Sequence, residues 1–220
     1  MRFLPLVRFL PGVVVAGTIF VSPLYAQDEP KTLPSTAKAA SNPAEDADMM
    51  KQMMELSKLN ENHKLLAGMV GSWTTNIKMW MAPGTPPIES TGTATCKAIM
   101  NGRYFIEDFV GKAPMPGPDG KMKEMAFTGM SINAYDNVKK KFLVTWMDSM
   151  STGIYLAEGD YDPATKTCTY NGEAEMVPGM KTKVRQTVKS IDNDHHVFEY
   201  SENRGGDYVK TMEITYTRKK

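Results

Sequence analysis

The chain has 220 residues, with 26 lysines and arginines against 25 aspartates and glutamates and a formal net charge of +1. This length fits one domain with short additions, because an all-β domain can use most of it. The near-neutral charge argues against a nucleic-acid partner, since binding to phosphates needs a clear excess of basic residues. The basic run from Lys139 to Lys141 also lacks the interleaved aromatic residues on which bases stack.

Residues 1–26 have the pattern of a secretory signal peptide. Arg2 and Arg8 make the start positive, and an apolar run from Phe9 to Val21 follows. Ala26 is a small residue suited to cleavage. The alternative is an uncleaved anchor, but the run is shorter than the roughly 20 residues that a membrane-spanning helix needs. We therefore expect an exported protein, periplasmic or extracellular, with no membrane span after cleavage. The chain has no N-x-S/T acceptor, which favours a bacterial source.

Residues 27–48 are predicted to form a flexible linker, because prolines stand among Ser, Thr, Ala and charged residues with little that could be buried. Residues 49–70 then place apolar side chains at alternating three- and four-residue steps, which predicts an amphipathic helix. The positions of this stripe are Leu56, Leu59, His63, Leu66 and Val70. We expect the apolar side of the helix to lie on the domain that follows and to close one end of it.

Residues 71–220 show runs of alternating apolar and polar residues separated by turn sequences, the pattern of antiparallel β-strands. The predicted strands are 73–81, 91–100, 104–110, 125–135, 141–148, 152–161, 167–173, 181–191, 196–201 and 208–217. Asn101-Gly102 predicts a two-residue hairpin, and 114–120 predicts a long loop. With an even number of strands the last can pair with the first. We therefore predict an all-β domain, an antiparallel up-and-down β-barrel of about ten strands.

Three turns of the predicted barrel repeat an aspartate between two strands. They are Tyr135-Asp136-Asn137, Tyr161-Asp162-Pro163 and Ile191-Asp192-Asn193. They recur at every second strand end, which places them along one rim of an up-and-down barrel. Aspartate in such a turn hydrogen-bonds its own backbone, so we assign these residues to the turns. A ligand is then expected inside the barrel or at its opposite mouth.

Two features at the ends of the predicted barrel resemble the calycin superfamily, which includes lipocalins and fatty-acid-binding proteins. Gly71-Ser72-Trp73 opens the first strand like the G-x-W signature of that superfamily, and Arg218 ends the last strand. The resemblance implies that Gly71 allows a tight bend and that Trp73 plugs the barrel floor. It also implies that Arg218 stacks on the Trp73 ring as a cation over a π face. All three roles are structural.

A larger set of motifs between Gly71 and Arg218 looks like the exported proteins grouped as domain of unknown function 1579. The motifs are Met81 to Gly84, Ser90 to Thr95, Asn101 to Tyr104, Ala134 to Lys141, Thr145 to Asp148 and Thr211 to Glu213. This resemblance implies a calycin-like barrel. The family brings no established activity, so no catalytic residue follows from it.

The three histidines do not predict a metal or haem site. His195 and His196 point to opposite faces of a strand, so they cannot chelate one ion together. A haem-binding barrel would need an axial histidine inside, for which His63 and His196 are the candidates. The favoured interpretation of both is a hydrogen-bonded structural histidine, and we expect no cofactor.

Methionine is abundant, with 18 in the chain. Four of these residues have M-x-x-M spacings on the predicted helix, which would suit the soft ion Cu(I) in an exported protein. They are Met49, Met50, Met53 and Met54. The favoured interpretation is that methionine serves as flexible apolar filling, and no metal is expected.

The two cysteines, Cys96 and Cys168, fall on the second and the seventh predicted strands. Export would permit a disulfide between them. In a closed barrel these strands stand far apart, whereas a disulfide needs Cα atoms about 5.5 Å apart. We therefore expect two separate thiols.

The acidic residues of the predicted strands give no indication of a hydrolase. They stand mostly singly, at Glu107, Asp108, Asp148, Glu158, Glu173, Glu199 and Glu213. A hydrolase needs two carboxylates that converge on one cleft, and the spacing reveals no such pair. Ser149 and Ser151 lack the strand-to-helix turn of a hydrolase nucleophile. The sequence favours a protein without catalytic residues and leaves an enzyme open as an alternative.

The inward-facing residues of the predicted barrel suggest its function. The candidate ligand-binding residues are Phe142, Trp146, Phe198, Met212 and Tyr216. A barrel of about ten strands is wider than one filled by side chains, so an apolar cavity is expected. We predict binding of a small, largely apolar ligand. The alternatives are a filled barrel that serves as a scaffold for partners, and a periplasmic enzyme or methionine-based copper binder. Ligand identity and oligomeric state do not follow from the sequence.

Overall fold

The structure, a computed structural model, describes residues 42–117 and 121–220. The predicted signal peptide and residues 27–41 of the predicted linker lie outside the described residues. Helix α1 spans Pro43–Leu56 and helix α2 spans Glu61–Ala67. The strands that follow are β1 Gly71–Met79, β2 Ile88–Ile99, β3 Tyr104–Pro116, β4 Met122–Asp136, β5 Lys141–Asp148, β6 Tyr155–Asp162, β7 Thr167–Val177, β8 Met180–Ser190, β9 His195–Arg204 and β10 Asp207–Arg218. Within the described ranges, no helix is long and apolar enough to cross a membrane.

The strands form a closed barrel in which each pairs antiparallel with the next along the chain. Strand β1 closes the circle by pairing with β10, from Trp73 opposite Arg218 to Met79 opposite Met212. This confirms the predicted all-β, up-and-down architecture. Closure satisfies the backbone hydrogen bonds that an open sheet would leave along its edges.

Two of the predicted connections are wrong in detail. Pairing of β3 with β4 continues to Pro116 opposite Met122, so the first three residues of the predicted loop 114–120 belong to strand β3. Pro114 and Pro116 weaken the strand pattern of that run in the sequence, but the backbone of β3 stays paired with β4 along it. The predicted two-residue hairpin at Asn101-Gly102 is a four-residue connection, because Ile99 pairs with Tyr104. Asn101 and Gly102 both adopt positive φ angles there (57° and 83°), a conformation that asparagine and glycine tolerate.

The helical segment differs from the predicted single helix over residues 49–70. Helix α1 begins at Pro43, inside the predicted linker, and proline suits the first turn because its missing N–H has no partner there. Helix α2 begins after Asn60, whose side chain accepts a hydrogen bond from the N–H of Asn62 (3.0 Å). Asparagine is a favoured N-terminal cap. Asn60, which lies within the single helix predicted for residues 49–70, therefore starts a second helix.

Only part of the predicted apolar stripe is buried. His63 and Leu66 on α2 are covered, whereas Leu56, Leu59 and Val70 are exposed. No residue of α1 is buried, and all of its residues are described. The short helix α2 therefore supplies the contact that the longer predicted helix was expected to make.

Strand direction defines two ends of the barrel. Strand β1 and every second strand after it begin at one end, which also receives α2 and the three aspartate turns. We call it the helix end. The connections 80–87, 149–154 and 205–206 lie at the other end, which we call the mouth.

The aspartate turns lie together at the helix end and are held by local hydrogen bonds, as the sequence predicts. Oδ1 of Asp136 accepts from the N–H of Val138 (2.7 Å) and Oδ1 of Asp192 accepts from the N–H of Asp194 (2.8 Å). Oδ1 of Asp162 accepts likewise from the N–H two residues on (2.9 Å). The three carboxylates are therefore turn residues.

Buried residues inside the barrel form two clusters, which position the site. The first, which we call the helix-end cluster, contains Leu66, Cys96, Phe105, Phe142, Ala157, Cys168 and Tyr170. The second, which we call the floor cluster, contains Trp73, Ile77, Ala94, Phe109, Ile214 and Tyr216. Leu66 brings α2 into the helix-end cluster, so the helix covers that end of the barrel. Cys96 and Cys168 are both buried as free thiols.

Candidate functional site

The register of the barrel assigns an inner face to every strand, because residues directly opposite each other share a face. On β1, Trp73 and Ile77 are buried and face inward, and their partners on neighbouring strands share that face. All five predicted ligand-binding residues face inward by this register. Trp146, Phe198 and Met212 are half-buried and pack against the floor cluster, which includes Tyr216. Phe142 belongs to the helix-end cluster instead, so the structure separates it from the other four.

The predicted structural signature lies at the helix end. The guanidinium carbon of Arg218 lies 4.0 Å from the centroid of the Trp73 ring, in a cation–π contact. All three guanidinium nitrogens also donate to backbone carbonyls, those of Asn193, Val70 and Gly68 (2.7–2.9 Å). The guanidinium group of Arg218 is therefore held in place by the Trp73 ring and these three carbonyls.

Gly71 has room for the Arg218 side chain because it has no side chain of its own. A Cβ atom at this position would lie 2.5 Å from Nη1 of Arg218. The φ angle of Gly71 is also positive, at 137°, which other residues rarely adopt. Glycine is thus required here for both conformation and space.

Four aromatic residues on consecutive strands β3 to β6 line the inner wall, and we call them the aromatic belt. They are Phe109, Phe127, Trp146 and Tyr155. Phe109 meets Phe127 edge to face (5.9 Å between centroids), and Phe127 stacks on Trp146 (6.3 Å). Tyr155 is the direct partner of Trp146 on the next strand. Phe127, Trp146 and Tyr155 face inward and yet stay half-buried, so solvent reaches the inner wall at the belt.

Two rings of the belt, those of Trp146 and Tyr155, lie against glycines of the neighbouring strands. A Cβ atom at Gly129 would lie 2.3 Å from Cζ2 of Trp146. A Cβ atom at Gly172 would lie 2.5 Å from the hydroxyl oxygen of Tyr155. Side chains at these two positions would collide with both rings and displace them. The missing side chains of Gly129 and Gly172 therefore make room for the two rings in their present positions.

A carboxyl group lies beyond the belt toward the helix end. Glu107 precedes Phe109 by two residues on β3, faces inward, and is 7% exposed. The hydroxyl of Tyr216 donates to Oε1 of Glu107 (3.3 Å), the hydrogen bond that the described residues provide to this carboxyl. Burial raises the pKa of Glu107 to about 7, against the smaller opposing effect of the Tyr216 hydrogen bond. Near neutral pH this group is therefore poised between its neutral and charged forms.

Three buried polar atoms have no hydrogen-bond partner among the described residues: Oγ1 of Thr75, the hydroxyl of Tyr155 and Nε2 of His196. Thr75 is 2% exposed and stands directly opposite Tyr216 on the neighbouring strand. Leaving such an atom unpaired costs free energy, so each marks a place where water or a ligand group would bind. Tyr216 thus has Thr75 opposite it on β1 and Glu107 at its hydroxyl, and we call these three residues the polar floor.

His63 and His196 differ in their surroundings. Nδ1 of His63 accepts a hydrogen bond from the N–H of Asn60 (3.2 Å), in line with the structural role that was favoured. His196 stacks on Tyr216 (4.2 Å between centroids) and meets Trp73 edge to face (4.5 Å). Burial, and secondarily the charge of Arg218, lowers the pKa of His196 to about 4. His196 is therefore neutral in the folded protein at neutral pH.

Negative groups prevail among the charges that face the lumen. Besides Glu107, Asp148 faces inward and accepts from Nε1 of Trp146 (2.8 Å). Glu202 faces inward near the mouth and pairs with Arg204 (3.0 Å). Among the buried and half-buried residues that face the lumen, in the part of the chain that the structure describes, there is no lysine. The guanidinium group of Arg218 is already held by three backbone carbonyls. An anionic ligand group in the lumen would therefore have no free cation among these residues to pair with.

Sequence reasoning found the belt only in part and missed the polar floor. Glu107 was noted as one of several single acids, and Thr75 was not singled out. The signal that could have found Glu107 is its place between Phe105 and Phe109, since alternation puts all three on one face. The four methionines of the copper alternative lie on α1 and are 57–64% exposed.

A concavity on the outer wall does not include the belt. It has a volume of about 400 Å³ and is lined by Asp108, Thr128, Gly129, Met130, Met147, Asp148 and Ser149. Most of these residues belong to the outward face of β3, β4 and β5. Within residues 42–117 and 121–220, no three His, Cys, Asp or Glu side chains converge as a metal site would require.

The sequence model of the family described as "Protein of unknown function (DUF1579)" matches residues 58–218. Among solved structures, the chain is similar to Rv2717c from M. tuberculosis, with a TM-score of 0.52 and 13% identity. That match covers 74% of this chain and 100% of the other, and at this identity it shows the fold alone. A redesigned β-barrel matches with a TM-score of 0.36 and 10% identity, over 71% of this chain and 96% of the other. No curated protein sequence matches the chain.

Proposed function

We propose that this chain, which belongs to the DUF1579 family of proteins of unknown function, binds a small, largely apolar molecule in the lumen of its barrel. The observation that carries the proposal is the aromatic belt. Phe127, Trp146 and Tyr155 face inward and are half-buried, and two of these rings lie against glycines of neighbouring strands. Aromatic surface that faces a lumen and remains accessible is what an apolar ligand needs.

The wall opposite the belt adds further apolar surface. Phe198 and Met212 face inward on β9 and β10, and both are half-buried. Transfer of apolar surface from water contributes about 25 cal/mol per Å², so a ligand held between the two walls gains from both. Flexible Met212 can adapt its shape to the ligand.

We place the access route at the mouth, beside β5 and β6. Pairing between these strands stops at Trp146 opposite Tyr155, while β3 and β4 remain paired as far as Pro116 opposite Met122. The paired strands therefore extend least far toward the mouth beside Trp146 and Tyr155, and we call this gap in the rim the notch. The connection 149–154 borders the notch and carries exposed Ile154.

The test is binding of the neutral dye Nile red, followed by its fluorescence. We expect saturable binding, and we expect Trp146→Ala to weaken it about tenfold because the stacking surface is lost. Trp80→Ala is the matched control, because Trp80 lies beside Lys210 on the outside of the barrel. Failure of the unaltered protein to bind would overturn the proposal and favour a filled scaffold. Native mass spectrometry of protein purified from its own host would then identify the natural ligand.

We further propose that the protein is exported. The support is the amino-acid pattern of residues 1–26, with its positive start and apolar run. Cell fractionation and N-terminal sequencing of the recovered protein test this. We expect a mature chain that begins after Ala26, and recovery of the uncleaved chain from the cytoplasm would contradict it.

A further inference from the structure

The charged groups around the lumen distinguish between classes of apolar ligand. Glu107 is buried beyond the belt with the Tyr216 hydroxyl as its one hydrogen-bond donor among the described residues. The nearest arginine on the floor, Arg218, donates all three of its nitrogens to backbone carbonyls. A fatty acid would therefore bring a second carboxylate next to Glu107 without a cation to neutralise either.

The same surroundings suit a positive group. A cation beside Glu107 would form a charge-assisted hydrogen bond in a place where water is largely excluded. Glu107 is the group that distinguishes the two head groups, because an ionised carboxylate only accepts and an ammonium group only donates. The nearby hydroxyl of Thr75, which stands directly opposite Tyr216 and has no partner among the described residues, can both donate and accept and so favours neither.

The aromatic belt supports the same class of ligand. Faces of tryptophan, tyrosine and phenylalanine rings attract cations through their quadrupoles, most strongly when the site is desolvated. Phe127 and Trp146 stack with an interplanar angle of 18°, and both are inward-facing and half-buried. Asp148, hydrogen-bonded to Trp146 at the mouth, adds a negative charge along the access route.

We propose that the lumen selects an apolar organic cation, an alkylamine or alkylammonium compound, with Glu107 of the polar floor holding the charged head and the aromatic belt holding the chain. This rests on the proposed function, because it names the ligand class of the same site. The ligand's positive group pairs with Glu107, and its apolar part extends from there past Trp146 toward the mouth.

The experiment compares three probes that share one alkyl chain and differ in the head group: decylammonium, decanol and decanoate. Isothermal titration calorimetry at about pH 8 keeps Glu107 ionised, since its pKa is about 7, and keeps the amine protonated. We expect decylammonium to bind at least about tenfold more tightly than decanoate, with decanol between them.

The variant Glu107→Gln removes the charge and keeps the shape of the side chain. We expect it to lose most of the preference for decylammonium over decanol and to bind decanol within about twofold of the unaltered protein. Asp108→Asn is the matched control, because it removes the same charge from the exposed outer face of the same strand. We expect the control to keep the full preference.

The outcomes separate this inference from the proposed function. Binding of decanol with decanoate equal to or tighter than decylammonium would overturn the cation preference and leave ligand binding intact. Binding of none of the three probes would overturn both. If Glu107→Gln lost decanol binding as well, circular dichroism would show whether it is folded, and the series of head groups on the unaltered protein would decide the question.

Discussion

The two ends of the barrel use the same residue types for different purposes. At the helix end, Trp73 is 2% exposed, bonded to a carbonyl and covered by Arg218. Toward the mouth, Trp146 is half-buried, and its ring lies against Gly129 and stacks on Phe127. One tryptophan is therefore almost fully enclosed by protein, and the other keeps part of its surface exposed. The difference separates a helix end that maintains the fold from a mouth half in which we propose that a ligand binds.

The largest test of this comparison replaces each tryptophan in turn. Trp73→Ala removes a buried ring and leaves a cavity, so we expect a loss of about 3 to 5 kcal/mol in the free energy of unfolding. Trp146→Ala removes a ring that is only half-buried, so we expect less than half of that loss. Urea unfolding of the two variants measures both values. Equal losses would contradict the division between the two ends.

The second test uses pH to examine Glu107. Its pKa is about 7 in the folded protein against an ordinary value of 4.5, so the folded state keeps a proton that the unfolded state releases. The stability that depends on this proton is fully present below about pH 4.5 and is lost as the pH rises through 7. At about 1.4 kcal/mol per pKa unit, the loss is roughly 3 kcal/mol.

His196 has the opposite effect and must be separated from Glu107. Its pKa is lowered from 6.5 to about 4, so stability falls as the pH falls through this window. Comparison of Glu107→Gln with the unaltered protein cancels the histidine contribution. We expect the variant to gain stability relative to the unaltered protein as the pH rises from about 4 to about 8. A difference that stays constant with pH in urea unfolding would contradict a raised pKa at Glu107.

The test with the smallest expected effect makes a glycine-to-alanine substitution in each half of the barrel. Gly71→Ala introduces a Cβ atom 2.5 Å from Arg218 in a backbone with positive φ, so we expect a loss of about 2 kcal/mol. Gly129→Ala introduces a Cβ atom 2.3 Å from Trp146, whose ring has the lumen beside it and can move there. We expect a smaller loss of stability and weaker binding of Nile red. Equal binding by the two variants would contradict the role of Gly129.

The strands could be predicted from the sequence because burial on one face imposes a strict alternation. On β1, Trp73, Thr75 and Ile77 alternate with exposed residues, and the structure shows the same pattern. The helical segment was predicted less well, because Asn60 acts as a cap only through its local backbone geometry. Because apolar residues continue at helical spacing on both sides of Asn60, the sequence pattern does not reveal that the helix is interrupted there.

The candidate site could be predicted only in its apolar part. Alternation places Trp146, Phe198 and Met212 on inner faces, since each shares its face with apolar neighbours. The contact between Tyr216 and Glu107 joins residues 109 positions apart, and no local pattern announces it. Whether a ring lies along the wall or across the lumen also depends on the neighbouring strand, as Gly129 beneath Trp146 illustrates. Such contacts follow from barrel closure and register, which become known only with the structure.

Closure of the barrel by β1 and β10 has a consequence for the order of folding. The hydrogen bond from the Thr74 hydroxyl to the carbonyl of Thr217 spans 143 positions, among the most distant pairings in the sheet. Contacts between such distant residues form late, because a long loop must first lose its conformational freedom. Until β10 arrives, one edge of β1 has unpaired backbone groups, and nearby Trp73 lacks the cover of Arg218. The stage before closure is therefore when this chain is most prone to aggregate, and β1 is the strand that a chaperone would need to protect.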